Sequence, residues 1–485
     1  MSECGRIVLS RWMKHSIADC PAGVGWGDLQ SFAICALRQR LGTLLALLFA
    51  ACLPAFAQSE VISRTSSDTN PVASSAPLEQ TDSLERAWTE AIASAHRLKA
   101  SHKSSEAAHE SFRAIKATRY ATVTAQGGHF WLDEAPSAVV SVPGSSGLPV
   151  VLDDQFWAGQ VTATLPLFTS GRIRRGIDAA KAGWKAAQAE EHRETLDLKL
   201  GVAGAYVSVL RASRAVRVAD SNVSSLASHS QNVSNLHVQG FVARNDLLAS
   251  QVVLADARQR EIQARNALDL ASASYNRFLV RPLTNVVRLE DLTPAPAVGA
   301  VSELTTRAFQ QRPELVVLAE QANALRQQAR SVRASALPSI GVSGGYLHLE
   351  NSYLERDHVW MAGIVGSWNF FDSGLTRHKA RAVEDQADAA NAMRAEAMSG
   401  VSLQVRQAWL EVDETRQRLE VTRDAVAQAE ENLNVARDRY RTGTGTNTEV
   451  LDAETLRVRS LGNHDNAIYD SVMAGLRLRR AVGDL

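Results

Sequence analysis

The sequence predicts an internally duplicated α+β membrane fold, in which long coiled-coil α-helical hairpins are combined with four transmembrane β-strands per chain. Three observations predict it. Glycine-punctuated turns at Gly240 and Gly443 lie 203 residues apart. Each turn interrupts a long apolar stripe with steps of four and three residues, and four short segments alternate apolar with polar residues.

The turns come first because both halves align on them. Gly240 matches Gly443, Asp246 matches Glu449 and Leu248 matches Leu451. Glycine permits the positive φ that a tight reversal between helices requires. Other landmarks repeat at a second spacing: Leu98 with Leu315, and Gly127 with Gly344, differ by 217 residues, whereas positions from Trp157 and Trp360 onward differ by 203. The first half therefore carries about fourteen extra residues, placed in the Pro/Gly/Ser/Val-rich loop 133–155.

The helices follow from what is absent and from what repeats. No proline occurs between Pro166 and Pro282 or after Pro338, so helix can run without its strongest breaker. Val401, Val405, Ala408, Val412 and Thr415 open a stripe that reaches Tyr440, and Leu198 to His237 repeat it. A mean step of about 3.5 residues imposes a left-handed supercoil. Counted from Arg172 or Leu375 to the turns, each descending helix reaches about 100 Å.

The strands follow from a period of two. In 359–371, Trp360, Ala362, Ile364, Gly366 and Trp368 share one face, and Trp157, Gly159, Val161, Ala163 and Leu165 share another. Trp360 and Trp368 are about 26 Å apart along an extended chain, close to the height of an outer-membrane apolar band bounded by aromatic girdles. Ile340 to Tyr346 and Ala121 to Gly127 supply weaker partners, giving one membrane hairpin per half. Four strands cannot close a barrel, and an open edge in lipid leaves backbone groups unsatisfied, so the chain is expected to oligomerise.

Composition narrows the function. Basic and acidic residues balance at 52 each, so no basic bulk favours nucleic acid. No phosphate loop, paired-histidine helix or nucleophile elbow is present, so no catalytic residue, metal or cofactor is expected. All four cysteines lie within the first 52 residues. There Arg38 and Arg40 precede the apolar run Leu41–Leu53, and Ala55-Phe56-Ala57 fits a signal-peptide cleavage site. Cleavage after Ala57 and lipidation of Cys52 both remain open, and residues 1–37 lack the form of a signal n-region.

The expected organisation is an N-terminal extension and signal peptide at 1–57 and a flexible lead-in at 58–82. The first repeat follows at 83–280, with its β-hairpin near 119–168. A linker at 281–303 leads to the second repeat at 304–485, with its β-hairpin near 338–371. A periplasmic coiled-coil structural or adaptor protein outside the membrane is the alternative, which the tryptophan-bounded strands disfavour.

The stretch Tyr440–Ala453, the junctions Leu-Phe-Thr-Ser-Gly171 and Phe-Phe-Asp-Ser-Gly374, and Arg312-Pro-Glu-Leu315 resemble the outer membrane efflux protein family, the TolC-like channels, over roughly 83–485. The resemblance implies a homotrimer with a twelve-stranded outer-membrane barrel and a twelve-helix periplasmic tunnel, an exit duct for efflux or type I secretion. Its implied partners are a periplasmic adaptor, an inner-membrane pump of RND, ABC or MFS type, and outer-membrane lipid. It maps an acidic gate ring onto Glu449 and Asp452, and a tip latch onto Tyr440 and Asp246. Adaptor contact falls on the tip glycines Gly240, Gly443 and Gly445, and membrane-interface aromatics on Trp157, Trp360 and Trp368. Gly445 departs from the family pattern, which has arginine there, and that puts part of the latch in question.

Overall fold

The computed structural model describes residues 81–485 apart from 136, 141–147, 152, 295, 297–298, 351 and 353–354. The expectations for the signal peptide and Cys52, and nearly all of the lead-in, lie outside the described residues. Among the described residues eight helices and six strands follow in order: α1 (Leu84–Ser94), α2 (His96–Ala117), β1 (Thr122–Trp131), β2 (Ser137–Val140), β3 (Leu148–Val151), β4 (Gln155–Phe168), α3 (Arg172–Val238) and α4 (Arg244–Phe278) come first. Then come α5 (Val301–Gln311), α6 (Pro313–Ala334), β5 (Ser339–Leu349), β6 (His358–Ser367), α7 (Leu375–Arg441) and α8 (Asn447–Val482). Among these described elements no helix is long and apolar enough to cross a membrane.

The order of helices recurs with matched lengths. α1 and α5 have 11 residues each, α2 and α6 have 22, α3 and α7 have 67, and α4 and α8 have 35 and 36. α3 and α7 each start after a glycine in the left-handed region, Gly171 at φ 85° and Gly374 at φ 86°. At about 1.5 Å per residue each extends about 100 Å. Near the sheet the helices pack in the order α2, α3, α6, α7, and near the turns in the order α4, α3, α8, α7. The two long helices thus run through both layers, and the shorter ones fill in between.

Small residues make the close helix contacts. Ala380, Ala387, Ala390, Ala408 and Ala429 on α7 are buried, as are Val401, Val405 and Val412 of the same stripe. Midway along α7 the packing loosens, and Leu419, Thr422 and Val426 are only half-buried. The largest core gathers Trp88, Tyr206, Tyr275, Leu279, Tyr469 and Leu476 where α1, α3, α4 and α8 meet. Here the structure differs from the expected organisation: Asp82, the last residue of the predicted lead-in, is buried and forms a parallel bridge with Leu289 of the predicted linker. Tyr206 Oη lies 2.8 Å from the carbonyl oxygens of Asp82 and Glu290, and Arg281 pairs with Asp82 at 2.7 Å. Asp82 and the linker around Leu289 and Glu290 are therefore held against the core, where the Tyr206 hydroxyl and the Asp82 carboxylate have partners.

The Arg312-Pro-Glu-Leu315 motif also has a packing role. Pro313 opens α6 at its first turn, where a missing N–H costs nothing. The buried Arg312 guanidinium donates to the carbonyls of Arg480 and Ala481 at 3.3 Å and to Gln404 at 2.6 Å, while Glu314 and Asp197 hold Arg480. Four helices are tied together by that cluster.

β1, β4, β5 and β6 form one antiparallel sheet in the order β1-β4-β5-β6, and β2 pairs only with β3. The insertion predicted as loop thus holds a small ladder, Ser137–Val140 against Leu148–Val151. Cross-strand partners share a face, and the register aligns Ala125 with Val161, Val161 with Tyr346, and Tyr346 with Trp360. The apolar faces of all four strands therefore form one continuous surface. The opposite face carries Thr122, Thr124, Gln126, Gln160, Thr162 and Thr164.

Candidate functional site

The chain reverses at two helical tips remote from the sheet. Gly240 takes φ 79° and Gly443 φ 75°, the left-handed conformation that ends a helix without a Cβ penalty. Gly445 has a different constraint. A Cβ there would sit 3.0 Å from Arg439 Cβ and 3.1 Å from the Tyr440 nitrogen, because the turn folds back onto the end of α7. Its N–H donates to the Arg439 carbonyl at 3.0 Å.

α8 begins immediately after this turn. Thr446 Oγ1 accepts the Glu449 N–H at 3.3 Å, so Thr446 and Glu449 stand at the ends of a capping box. The Glu449 carboxylate does not turn back to the cap but lies 3.3 Å from Arg439 Nη1. Arg439 also donates to the Thr444 carbonyl at 3.2 Å. Asp452, three residues on and exposed, has no ion pair or hydrogen bond among the described residues. At spacing i, i+3 the two carboxylates share a helix face.

Tyr440 is half-buried, and its hydroxyl has no hydrogen-bond partner among the described residues. Burial, with the nearby Asp246 charge, raises its pKa above the ordinary phenol value. Within one chain the predicted Tyr440–Asp246 pair makes no hydrogen bond. Instead Asn447 joins the tips: its Nδ2 donates to the Asp246 carbonyl at 3.1 Å, and its Oδ1 accepts from His229 Nε2 at 2.8 Å. The His229 ring lies 5.4 Å from that of Tyr440.

Two residues beyond Asp452 lies a group that sequence reasoning missed. Glu454 is 1% exposed and holds Arg437 of α7, Ser225 of α3 and, at 3.2 Å, Arg457. The signal available was Glu454-x-x-Arg457, an ordinary i, i+3 pair that reads as surface. What the sequence cannot supply is the arrival of Ser225 and Arg437 from other helices.

At the other end of the molecule, the sheet carries the predicted aromatics. Trp157 and Trp360 stand on the continuous apolar face and are 56% and 77% exposed. Trp360 meets Tyr346 at 5.0 Å between ring centroids, and Trp131, also missed, shares the face beyond His129. Trp368 lies just past β6, with its indole N–H donating to the Ala336 carbonyl at 3.1 Å. Large apolar side chains exposed on one whole face of a sheet mark a surface covered by something other than water.

A sequence model of the outer membrane efflux protein family matches residues 87–275 and 304–484. The chain belongs to that family, and is an outer-membrane efflux channel. Among curated proteins it is similar to the alkaline protease secretion protein AprF of Pseudomonas aeruginosa, 23% identical over 66% of this chain and 68% of the relative. It is also similar to the outer membrane protein TolC of Vibrio cholerae, 22% identical over 64% of this chain and 73% of the relative. The solved structure of the outer-membrane channel OprN superposes with a TM-score of 0.70 at 20% identity, covering 83% of this chain and 90% of that one. An outer-membrane location sets aside the alternative of a periplasmic protein that never enters the membrane.

Proposed function

We propose that three copies of this chain close their sheets into one twelve-stranded barrel and their helices into a twelve-helix tunnel. Substrates delivered by an inner-membrane pump and a periplasmic adaptor leave passively through it. The observation that carries this reading is the sheet itself: four antiparallel strands with β1 and β6 at its edges and one continuous apolar face. In lipid, unpaired edges cost several kcal/mol per unsatisfied group, and pairing β6 of one copy with β1 of the next removes both edges. Matched helix lengths in the two halves support descent from a duplication and a near-sixfold wall in a trimer.

At the tips, Glu449 and Asp452 form the acidic ring of the constriction, with Tyr440 and Asp246 placed to latch neighbouring hairpins. Val238 and Phe241, exposed beside Gly240, offer the adaptor an apolar contact. The interior is a polar duct, and the pump supplies specificity and energy. No chemistry is assigned to the chain.

Single-channel recording in planar bilayers tests this. Glu449→Gln with Asp452→Asn is expected to lower cation selectivity and weaken block by divalent cations, whereas Glu430→Gln with Glu431→Gln, exposed further along α7, does less. Equal selectivity and block in wild type and the tip variant remove these carboxylates from the constriction.

A further inference from the structure

We propose that the helix residues bordering the sheet form a binding collar for the phosphate groups of anionic phospholipids in the adjoining membrane leaflet. This rests on the sheet lying in the membrane and is independent of the gate at the tips.

The charge distribution is the first observation. The twelve residues adjoining each strand of the four-stranded sheet on the helix side, 110–121, 169–180, 327–338 and 368–379, hold ten Arg or Lys and three Asp or Glu. The rest of the chain holds 42 basic and 49 acidic residues. At the far end of the sheet the sign reverses: 132–154 and 350–357 carry seven Asp or Glu and one Arg. The sheet is thus bounded by positive charge on one side and negative charge on the other.

Little of the positive charge is neutralised internally. Arg113 pairs with Glu110 at 2.9 Å, Arg333 with Glu384 at 2.5 Å, and Arg175 donates to Gln327 at 3.2 Å. The other seven cations, Arg172, Arg174, Arg377 and Lys379 among them, are exposed and have no ion pair among the described residues. Of the acids, Glu110 is held by Arg113, and Asp372 is occupied by the N–H groups of Gly374 and Thr376 at 3.0 and 2.9 Å.

The second observation is a cavity of about 350 Å³ at the helix end of the sheet, lined by Arg172, Trp368, Thr169, Ser339, Ser367 and Asn369 among others, with Ser339 and Ser367 paired on the face opposite the apolar one. One wall is an indole at the end of the membrane-facing surface. The others offer a guanidinium, hydroxyls and an amide, the donors that grip a phosphate. A phospholipid whose chains lie along the apolar face brings its headgroup to the exposed Arg172 guanidinium beside the Trp368 indole at this border. A zwitterionic headgroup brings its own cation into the same positive field, so the collar selects anionic lipid.

Native mass spectrometry of the full chain, purified in mild detergent and given dioleoyl-phosphatidylglycerol or dioleoyl-phosphatidylethanolamine, tests the proposal. Wild type is expected to retain phosphatidylglycerol preferentially, and Arg172→Gln/Arg174→Gln/Arg377→Gln/Lys379→Gln to lose that preference by about tenfold or more. Arg406→Gln/Arg423→Gln, exposed cations further along α7, should keep it. Arg172→Lys/Arg174→Lys/Arg377→Lys preserves charge and should also keep it, which separates charge loss from misfolding. Equal retention of both lipids by wild type, or an unchanged preference in the glutamine variant, overturns the proposal. Displacement of the lipid by inorganic phosphate alone overturns it too, since the site would then serve a free anion. Conductance of the same preparation in bilayers reads membrane insertion separately.

Discussion

The guanidinium of Arg439 lies 3.3 Å from the carboxylate of Glu449 across the second tip, whereas Asp452, on the same face of α8, has no such partner among the described residues. The two acidic positions are therefore unequal within one chain. Glu449 has a counter-charge within its own chain, and among the described residues Asp452 has none.

Arg439→Gln is expected to raise cation selectivity above wild type, because it frees the Glu449 charge at the constriction. Stability should change little, since partly exposed ion pairs contribute about 0–1 kcal/mol. Reversal potentials under a salt gradient measure the effect, and adding Glu449→Gln should cancel it. Unchanged selectivity in Arg439→Gln would show that this pair does not set the charge of the pore.

Glu454→Ala is expected to destabilise the tip by about 2 kcal/mol, since it leaves Arg437 and Arg457 without their shared carboxylate in a buried position. Glu454→Gln keeps hydrogen-bonding capacity and should cost less. Thermal unfolding together with amide exchange at the tip decides this. Equal protection in the alanine variant and wild type would mean that the cluster holds nothing together.

Burial lowers the pKa of His229 below 6.5; Arg437 adds to that shift, and the Asn447 bond opposes it. Because the unfolded imidazole takes up a proton before the folded one does, tip stability should fall as pH drops below about 6.5. His229→Gln should flatten that dependence. Amide exchange around the tips, followed as a function of pH, supplies the test, and an identical profile in the variant would exclude His229 as its source.

Much of this architecture is legible in the sequence, for definite reasons. Val401, Val405, Ala408 and Val412 specify a buried seam because their spacing puts them on one side of any helix, whatever it meets. Trp157 and Trp360 specify a face because alternation fixes sides before pairing is known. Pairing itself is another matter: β4 meets β5 only after the four helices α3 to α6, and no local signal sets that register. The same limit hid Glu454, whose partners Ser225 and Arg437 are 229 and 17 residues away. Gly445 departs from the family pattern, and the close approach of Arg439 supplies a steric reason for it.

Closure of the sheet by oligomerisation is the claim on which the channel depends, and native mass spectrometry in mild detergent tests it most directly. A complex of three protomers is expected, which dissociates when a proline placed in β6 at Ile364 disrupts the edge that meets β1 of the next copy. A stable monomer that still inserts into membranes would contradict it.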